Sequence, residues 1–351
     1  MATLNVRDLA DQLIATLDDL GRPSFQQIAQ DLQDYELMGR WLKKERIILS
    51  DGIGVKRTLM TSTGGAASHG GMFETDDVDV FDHLKQMTVP WRHAKTAWAF
   101  DRRELLMNRG KSLVNNVIQP RRAGALIDLA KELEEKGWAA PASTNSTDPY
   151  GVPYFIVKNA TVGFTGGNPA GNTSTAGIDR TTVTTYKNYS APYVNITKDD
   201  LIAKLRTFFR KAHWKSPVKI NDFMTQANAR FVLYTNDAVI TELETVGEQQ
   251  NENLGRDLAR FGVQTEPSVQ DELLLRRWPM RYVPKLDDDT AKPIYMIDHR
   301  VFYVFVLEGD FLRESPTLTA PNQHNTLAVW TDLTYNYGCV DPRRCGVAYV
   351  A

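Results

Sequence analysis

Residues 46–98 constrain this chain more than any other stretch, because they cannot hold a shape by themselves. An extended-looking run, Arg46-Ile47-Ile48-Leu49, leads through Gly52 and Gly54 into Val55-Lys56-Arg57-Thr58-Leu59-Met60. The following segment, TSTGGAASHGG over 61–71, has almost nothing large to bury. The chain returns through an acidic patch, Asp76, Asp77, Asp79 and Asp82, and a second extended run, Leu84 to Trp98. Two strands joined by a small-residue tip predict a long hairpin arm. An isolated two-stranded ribbon is marginal in water, so the arm needs another surface to lie on.

A helical spine follows, Phe100 to Trp138. In its second half Ala123, Leu126, Ile127, Ala130 and Leu133 recur at offsets of three and four, which places them on one helix face. Asp128, Lys131, Glu132, Glu134, Glu135 and Lys136 fall on the other face. Gly137 is expected to stop the helix by taking the left-handed conformation. Pro120 is expected to bend or restart it, having no N–H to give. Leu126, Ile127, Ala130 and Leu133 are the spine-packing candidates.

The leading segment is amphipathic too. Leu9, Leu13, Ile14, Leu17 and Leu20 mark an apolar stripe over 4–20, and a second short helix is expected from Ser24 to about Tyr35. This stripe packs either on its own domain or on a neighbouring subunit. It lacks a basic start followed by an apolar run, so it does not read as a signal peptide. No stretch approaches the roughly 20 apolar residues that a spanning helix needs.

Beyond the spine, 139–148 reads as a linker and Tyr154-Phe155-Ile156-Val157 as a strand. A Gly/Asn/Thr loop covers 163–177. Thr197 caps the clearest helix, 197–212, with Leu201, Ile202, Leu205, Phe208, Phe209 and Ala212 on its apolar face and Lys204, Arg206, Arg210 and Lys211 opposite. Phe231–Tyr234 reads as a strand, and Thr235-Asn236 caps a helix over 237–251. The last third is mostly β. Pro279 marks an edge or bulge, 301–307 is apolar throughout and so buried on both faces, and 327–337 alternates with period two.

With 351 residues there is chain for two or three packed units. The net charge of −2 supplies no global basic field for tight, sequence-independent DNA binding. The two cysteines, Cys339 and Cys345, are too few for a disulfide scaffold, and an intracellular site of synthesis fits.

Chemical motifs are scarce. Gly166-Gly167-Asn168-Pro169-Ala170-Gly171-Asn172-Thr173 nearly matches a phosphate-binding loop, but Asn172 occupies the lysine position. Ser68-His69-Gly70-Gly71 has no partnering nucleophile elbow anywhere in the chain. Asp287-Asp288-Asp289 and the 76–82 patch lack the spacing of a calcium loop and read as solvated acidic turns. Cys339 and Cys345 have no second pair, so zinc is not expected, and no two of the six histidines are four apart. No catalytic, cofactor-binding or metal residues are assigned, and the chain is read as a non-enzyme.

Several ordered runs resemble the major capsid proteins of tailed bacteriophages. They are Gly163-Phe164-Thr165-Gly166-Gly167-Asn168-Pro169, Ala176-Gly177-Ile178-Asp179, Thr197-Lys198-Asp199-Asp200-Leu201-Ile202, Tyr234-Thr235-Asn236, 250–257 (QNENLGRD) and Arg276-Arg277-Trp278-Pro279. The C-terminal pattern is the most telling: Gln323-His324-Asn325-Thr326, Asp332-Leu333-Thr334-Tyr335-Asn336, Cys339 and Asp341-Pro342-Arg343-Arg344-Cys345. The likeness runs from about Glu45 to the end.

That resemblance implies an α+β Hong Kong 97-type fold. It implies an N-terminal arm at 1–44, an E-loop hairpin at 45–99 and a peripheral domain at 100–219 that includes the spine and regains 321–351. An axial domain would lie mainly within 220–320. It further implies a virion structural protein that assembles as hexamers and pentamers into an icosahedral shell around double-stranded DNA, made in the host bacterial cytoplasm and located in the phage head. Leu9, Leu13, Leu17, Lys56, Arg57, Leu59, Trp91 and Trp98 are the intersubunit candidates. Expected partners are further copies of the chain, a separate scaffolding protein (the arm begins almost at Met1), a portal, a decoration or cement protein, and packaged DNA held by weak non-specific contact. No cofactor and no membrane are implied. Some relatives cross-link a lysine to an asparagine. Lys56 lies in the corresponding arm and Asn336 in a corresponding strand, but no catalytic carboxylate can be placed and the cross-link is not assigned. The alternatives are an encapsulin-type shell and a hydrolase built on the Gly166–Thr173 loop.

Overall fold

The structure is a computed structural model and describes residues 35–50, 52–63, 67, 69–72, 81–107, 118–212, 230–254, 263–265, 273–275, 278–320 and 323–351. The leading helices with Leu9, Leu13 and Leu17, most of the acidic patch and part of the hairpin tip lie outside these residues.

The chain divides into two compact units. Among the described residues, the first contains His93–Leu133 and Gly309–Thr334. Its strand Arg92–Asp101 alternates half-buried and exposed residues up to buried Phe100, as expected for a strand with one face covered. This strand, Arg313–Glu314 and Leu318–Ala320 all pair with the long strand Gln323–Cys339. Val329, Thr331 and Leu333 are buried while Trp330 is exposed, so the expected alternation is present there.

The helix Ile118–Gly137 belongs to this unit as far as Leu133. Pro120 lies in its first turn, where the missing N–H has no intrahelical partner to lose. The shorter helix Arg102–Met107 precedes it. The two are tied by a forked ion pair, Arg121 to Glu104 at 2.5 and 3.1 Å. Ala125, Leu129, Ala130 and Leu133 are buried, whereas Leu126 and Ile127 are half-buried.

The second unit contains Tyr35–Arg92, Glu134–Glu308 and Tyr335–Ala351. Its largest sheet runs Tyr189–Tyr193, Gly346–Val350, Ile294–Asp298, Phe231–Thr235, Trp278–Tyr282, Leu273–Leu275, Val263–Thr265. The helix over 198–212 lays Leu201, Leu205, Phe208 and Phe209 into a core with Tyr189, Leu233, Met280, Ile294 and Met296. Thr197 caps it as expected, its side chain accepting the Asp200 N–H. The Asn236 side chain likewise accepts the Val239 N–H at the start of Asp237–Leu254.

A separate ladder pairs Arg46–Leu49 in parallel with Phe302–Leu307, which in turn runs antiparallel to 335–339. Val304, Phe305 and Val306 are buried, in line with the continuous apolar run. Phe302 and Tyr337 of this ladder join an aromatic core centred on Trp41. Its indole stacks edge-on against Trp138, Tyr234, His299, Phe302 and Tyr337 at ring separations of 5.1 to 6.1 Å.

Four local expectations need correction. Residues 154–157 are not a strand: Val152–Phe155 is a helical turn with Pro153 in its first positions, and Tyr154 stacks on Tyr150 at 4.1 Å. Pro153 favours helix initiation, and this outweighs the β preference of the aromatic and branched side chains. Pro279 lies in an interior strand, between Phe231–Thr235 and Leu273–Leu275, and the parallel register begins only at Met280. Gly137 does end its helix, but not by turning left-handed, since it is absent from the residues of positive φ. A side chain there would stand 2.0 Å from Leu37 Cδ1 and 3.0 Å from the Tyr337 hydroxyl, so anything larger than glycine forces the buried Leu37 to shift. Glu134, placed on the polar face by spacing, is 6% exposed.

Candidate functional site

The hairpin belongs to the second unit and, among the described residues, pairs with no other strand there. Gly54–Met60 pairs antiparallel with Leu84–Pro90, in register from Gly54↔Pro90 to Met60↔Leu84. The flanking runs do not join this ladder; Arg46–Leu49 and Arg92–Asp101 pair elsewhere. Val55, Met87 and Val89 are buried at the base. Lys56, Arg57 and Thr58 are exposed, Leu59 is half-buried, and Met60 and Leu84 are 58% and 56% exposed. Ile53 and Met72 are almost wholly exposed.

The base is fastened at several points. Thr88 N–H donates to Ala176 O at 2.8 Å, and Trp91 Nε1 donates to Gly52 O at 2.8 Å. The Tyr186 hydroxyl reaches Met87 Sδ at 3.4 Å and donates to Cys339 O at 2.6 Å. Gly54 packs so closely that a Cβ would lie 2.8 Å from Val89 O. Asn336 Nδ2 donates to Pro90 O at 2.6 Å, while its Oδ1 accepts the N–H groups of Tyr150 and Tyr337 at 2.8 Å each. This amide is a buried clamp with its hydrogen-bonding groups occupied. Trp98, on the strand Arg92–Asp101 of the first unit, is half-buried and stacks on Phe100 at 5.7 Å.

Residues 35–45 are the second feature, and spacing missed their role. Leu37, Trp41 and Leu42 are buried, and the four-residue step from Leu37 to Trp41 was the available signal. Glu36 pairs with Arg281 at 2.8 Å, and Glu45 with Arg230. Trp41 Nε1 donates to the Tyr234 hydroxyl at 2.9 Å, and that hydroxyl meets His299 Nε2 at 2.8 Å. Glu134 accepts from Leu37 N–H at 2.9 Å and Trp138 Nε1 at 2.7 Å. Burial pushes its carboxyl up to about 7, and burial holds the His299 imidazole down at about 3. These groups brace the chain where it enters the hairpin.

The glycine-rich loop is braced rather than open. The guanidinium of Arg180 is fully buried. It donates to Phe155 O at 2.7 Å, Gly167 O at 3.0 Å and Asn188 Oδ1 at 3.2 Å, and lies over the Tyr186 ring at 5.5 Å. Gly166 donates to Asn188 O, and a Cβ on it would stand 1.8 Å from Asn188 Oδ1. Asn172 Nδ2 turns back to Ala170 O and Pro141 O. Residues 166–173 are thus cross-tied, and the next helical turn after them is Thr184–Tyr186. This is unlike a phosphate cradle, whose amides point into a ligand space at a helix start.

The acidic turn is also internally paired. Asp287 accepts from Asp237 N–H and the Tyr282 hydroxyl, Asp288 pairs with Lys285 at 2.8 Å, and Asp289 with Lys158 at 2.5 Å. Among the described residues, no group of three His, Cys, Asp or Glu side chains is placed to hold a metal. On the basic helix face, Lys204 is held by Pro192 O at 2.6 Å and Asp200 at 2.5 Å, and Lys211 lies over Tyr189.

No family model and no curated protein matches the chain. Solved structures do. It is similar to the capsid asymmetric unit of cyanophage A-1(L), with a TM-score of 0.63, 12% identity, and coverage of 94% of this chain and 96% of that one. It is also similar to the capsid of Myoviridae phage XM1, with a TM-score of 0.56, 10% identity, and coverage of 100% and 99%. A third likeness is to the holo-SrpI encapsulin complex of Synechococcus elongatus PCC 7942, with a TM-score of 0.51, 12% identity, and coverage of 99% and 96%. These likenesses extend over nearly the whole of each chain and establish the architecture: the protein has the α+β Hong Kong 97-type fold of phage capsid structures.

Proposed function

We propose that this chain is the major coat protein of a tailed-phage head, a structural rather than catalytic protein. Many copies close as hexamers and pentamers into an icosahedral shell around double-stranded DNA. The observation that carries this reading is the near-complete, two-way coverage of phage capsid structures. The hairpin supports it. Its base is pinned while Lys56, Arg57, Met60 and Leu84 lie exposed along it, and an arm of this kind gains stability by lying on a second copy. Head-to-tail contacts of that type generate rings when the rotation closes.

In this reading 1–44 is the arm, 45–99 the E-loop region, 100–219 with 321–351 the peripheral domain, and 220–320 mainly the axial domain. Leu9, Leu13, Leu17, Lys56, Arg57, Leu59, Trp91 and Trp98 lie toward neighbouring subunits, and the spine packs through Leu126, Ile127, Ala130 and Leu133. Arm and hairpin move as a precursor shell expands. A scaffolding protein, a portal and a decoration protein complete the head, which is assembled in the host cytoplasm. A net charge of −2 suits a wall that does not grip packaged DNA.

The likeness to the SrpI complex favours a second reading, a cargo-enclosing shell without DNA. Sedimentation of the purified chain, followed by electron microscopy of the fastest fraction, tests both. Closed shells of uniform size or capsomer rings are expected. Nuclease-protected double-stranded DNA in particles from producing cells selects the phage head, and protected protein cargo without DNA selects the second reading. A stable monomer or dimer at high concentration, with added scaffold as well as without, overturns both.

A further inference from the structure

The two cysteines have no role in the coat-protein reading, and the fold brings them together. Cys339 ends the strand Gln323–Cys339, where it pairs with Phe302, and its carbonyl accepts the Tyr186 hydroxyl at 2.6 Å. Cys345 immediately precedes the strand Gly346–Val350. Its N–H donates to Pro342 O at 2.9 Å and its carbonyl accepts Tyr189 N–H at 3.1 Å. Between them Asp341 caps the turn Pro342–Arg344, accepting the Arg343 N–H. The turn folds back so that the Cys345 thiol lies near enough to that of Cys339 to act on its ionisation, and both residues are 0% exposed. Both are free, and the described residues supply no metal-binding set around them.

We propose that Cys339 and Cys345 form a redox pair that a small two-electron oxidant converts to an intrachain disulfide, closing the turn between the two strands. Each thiol gives up its S–H proton and the sulfurs share one new S–S bond. Two electrons and two protons pass to the oxidant; with a diazene dicarboxamide, the N=N bond is reduced to a hydrazine. The attacking species is a thiolate. Burial pushes the Cys339 thiol well above its usual range, so thiolate is scarce in the closed core and the reaction waits on opening of the turn. A pair of this kind stays reduced in a reducing cytoplasm and becomes oxidisable outside it. The inference rests on the turn, the proximity of the two thiols and their burial, and stands whichever shell the chain builds.

The test uses the full folded chain. Light and isotopically heavy protein are mixed, treated with a diazene dicarboxamide, quenched with a maleimide in denaturant and digested with trypsin without reduction. Cleavage after Arg343 and Arg344 separates the two cysteines. The expected product is therefore a disulfide-linked peptide pair, light with light and heavy with heavy, lighter by two hydrogens than the sum of the free peptides. Reductant should release it, and Cys345→Ser should abolish it. Recovery of both cysteines as maleimide adducts after oxidant overturns the proposal, as does a pair that mixes light and heavy chains.

Discussion

The carboxylate of Glu134 accepts the backbone N–H of Leu37 at 2.9 Å, across 97 residues of sequence. Glu134 lies in the last turn of Ile118–Gly137, and Leu37 opens the short helical segment after residue 36. The bond satisfies one N–H that a helix start leaves orphaned. A second donor, Trp138 Nε1, joins the same side chain. These bonds and the side chains around Trp41 hold the chain as it enters the hairpin.

Glu134 makes stability fall as pH rises. Its folded value of about 7 exceeds its ordinary 4.5, chiefly through burial. Between those values the unfolded chain releases a proton that the folded chain keeps, so unfolding is progressively favoured. The full effect is roughly 3 kcal/mol, complete above about pH 7. In Glu134→Gln that slope should vanish. Urea midpoints of both proteins from pH 4.5 to 8 should show the variant gaining on wild type up to about pH 7 and holding that gain beyond it. A constant difference between them would mean that the buried carboxyl titrates normally.

His299 acts in the opposite direction. Burial depresses its imidazole from 6.5 to about 3, with Arg230 and Arg40 adding repulsion. Below pH 6.5 the unfolded chain gains a proton that the folded chain refuses, so stability is lost as pH falls. The loss approaches roughly 4 to 5 kcal/mol at the acid end. His299→Gln, which retains a polar group toward the Tyr234 hydroxyl, should flatten the acid limb below pH 6.5. It should leave the slope due to Glu134 in place. Acid unfolding of the two proteins in parallel reads the difference, and superimposable limbs refute it.

Two glycines of one helix should respond oppositely to the same change. At Gly137 an added methyl meets Leu37 Cδ1 at 2.0 Å, so Gly137→Ala should destabilise by roughly 1 to 3 kcal/mol. Nothing lies within 4 Å of the corresponding position at Gly124. Gly124→Ala should stabilise by roughly 0.5 to 1 kcal/mol, through lower chain entropy when unfolded. Thermal unfolding of each variant, and of Gly137→Ala combined with Leu37→Ala, checks the cause. The double variant should be less damaged than the two singles summed.

How far the sequence disclosed this structure depended on whether local pattern and tertiary packing agreed. The helix capped by Thr197 and the buried strand Phe302–Leu307 were readable because period, cap and burial all pointed one way. Residues 154–157 read as a strand because branched and aromatic side chains suggest one, while Pro153 and the Tyr150–Tyr154 stack enforce a turn over Val152–Phe155. Glu134 was misread for a different reason: its partners come from residue 37 and from the Trp138 indole, and periodicity carries no information about them. Arg180 was equally silent, since a lone arginine in a Gly/Asn/Thr stretch gives no sign that three acceptors converge on it. The hairpin was recognised, but its ladder is confined to 54–60 and 84–90. Its neighbours on either side carry the same extended signature and pair outside it, in the six-stranded sheet.

The outer end of that ladder separates assembly from folding. Met60 and Leu84 face one another across the register and are more than half exposed, 58% and 56%. Burying such side chains against a second copy is worth roughly 1.5 to 3 kcal/mol each when complete. Leaving them in water gives the isolated chain little. Met60→Glu with Leu84→Glu places like charges directly opposite each other, at a cost within the ladder of well under ~1 kcal/mol. The double variant should therefore unfold within a few degrees of wild type while forming few or no closed shells under conditions where wild type assembles. Light scattering during assembly, read beside a thermal melt of the unassembled chain, distinguishes the outcomes. Normal shell yield would show that this end of the hairpin is not an assembly contact, and a collapsed melt would show that it belongs to the core of the single chain.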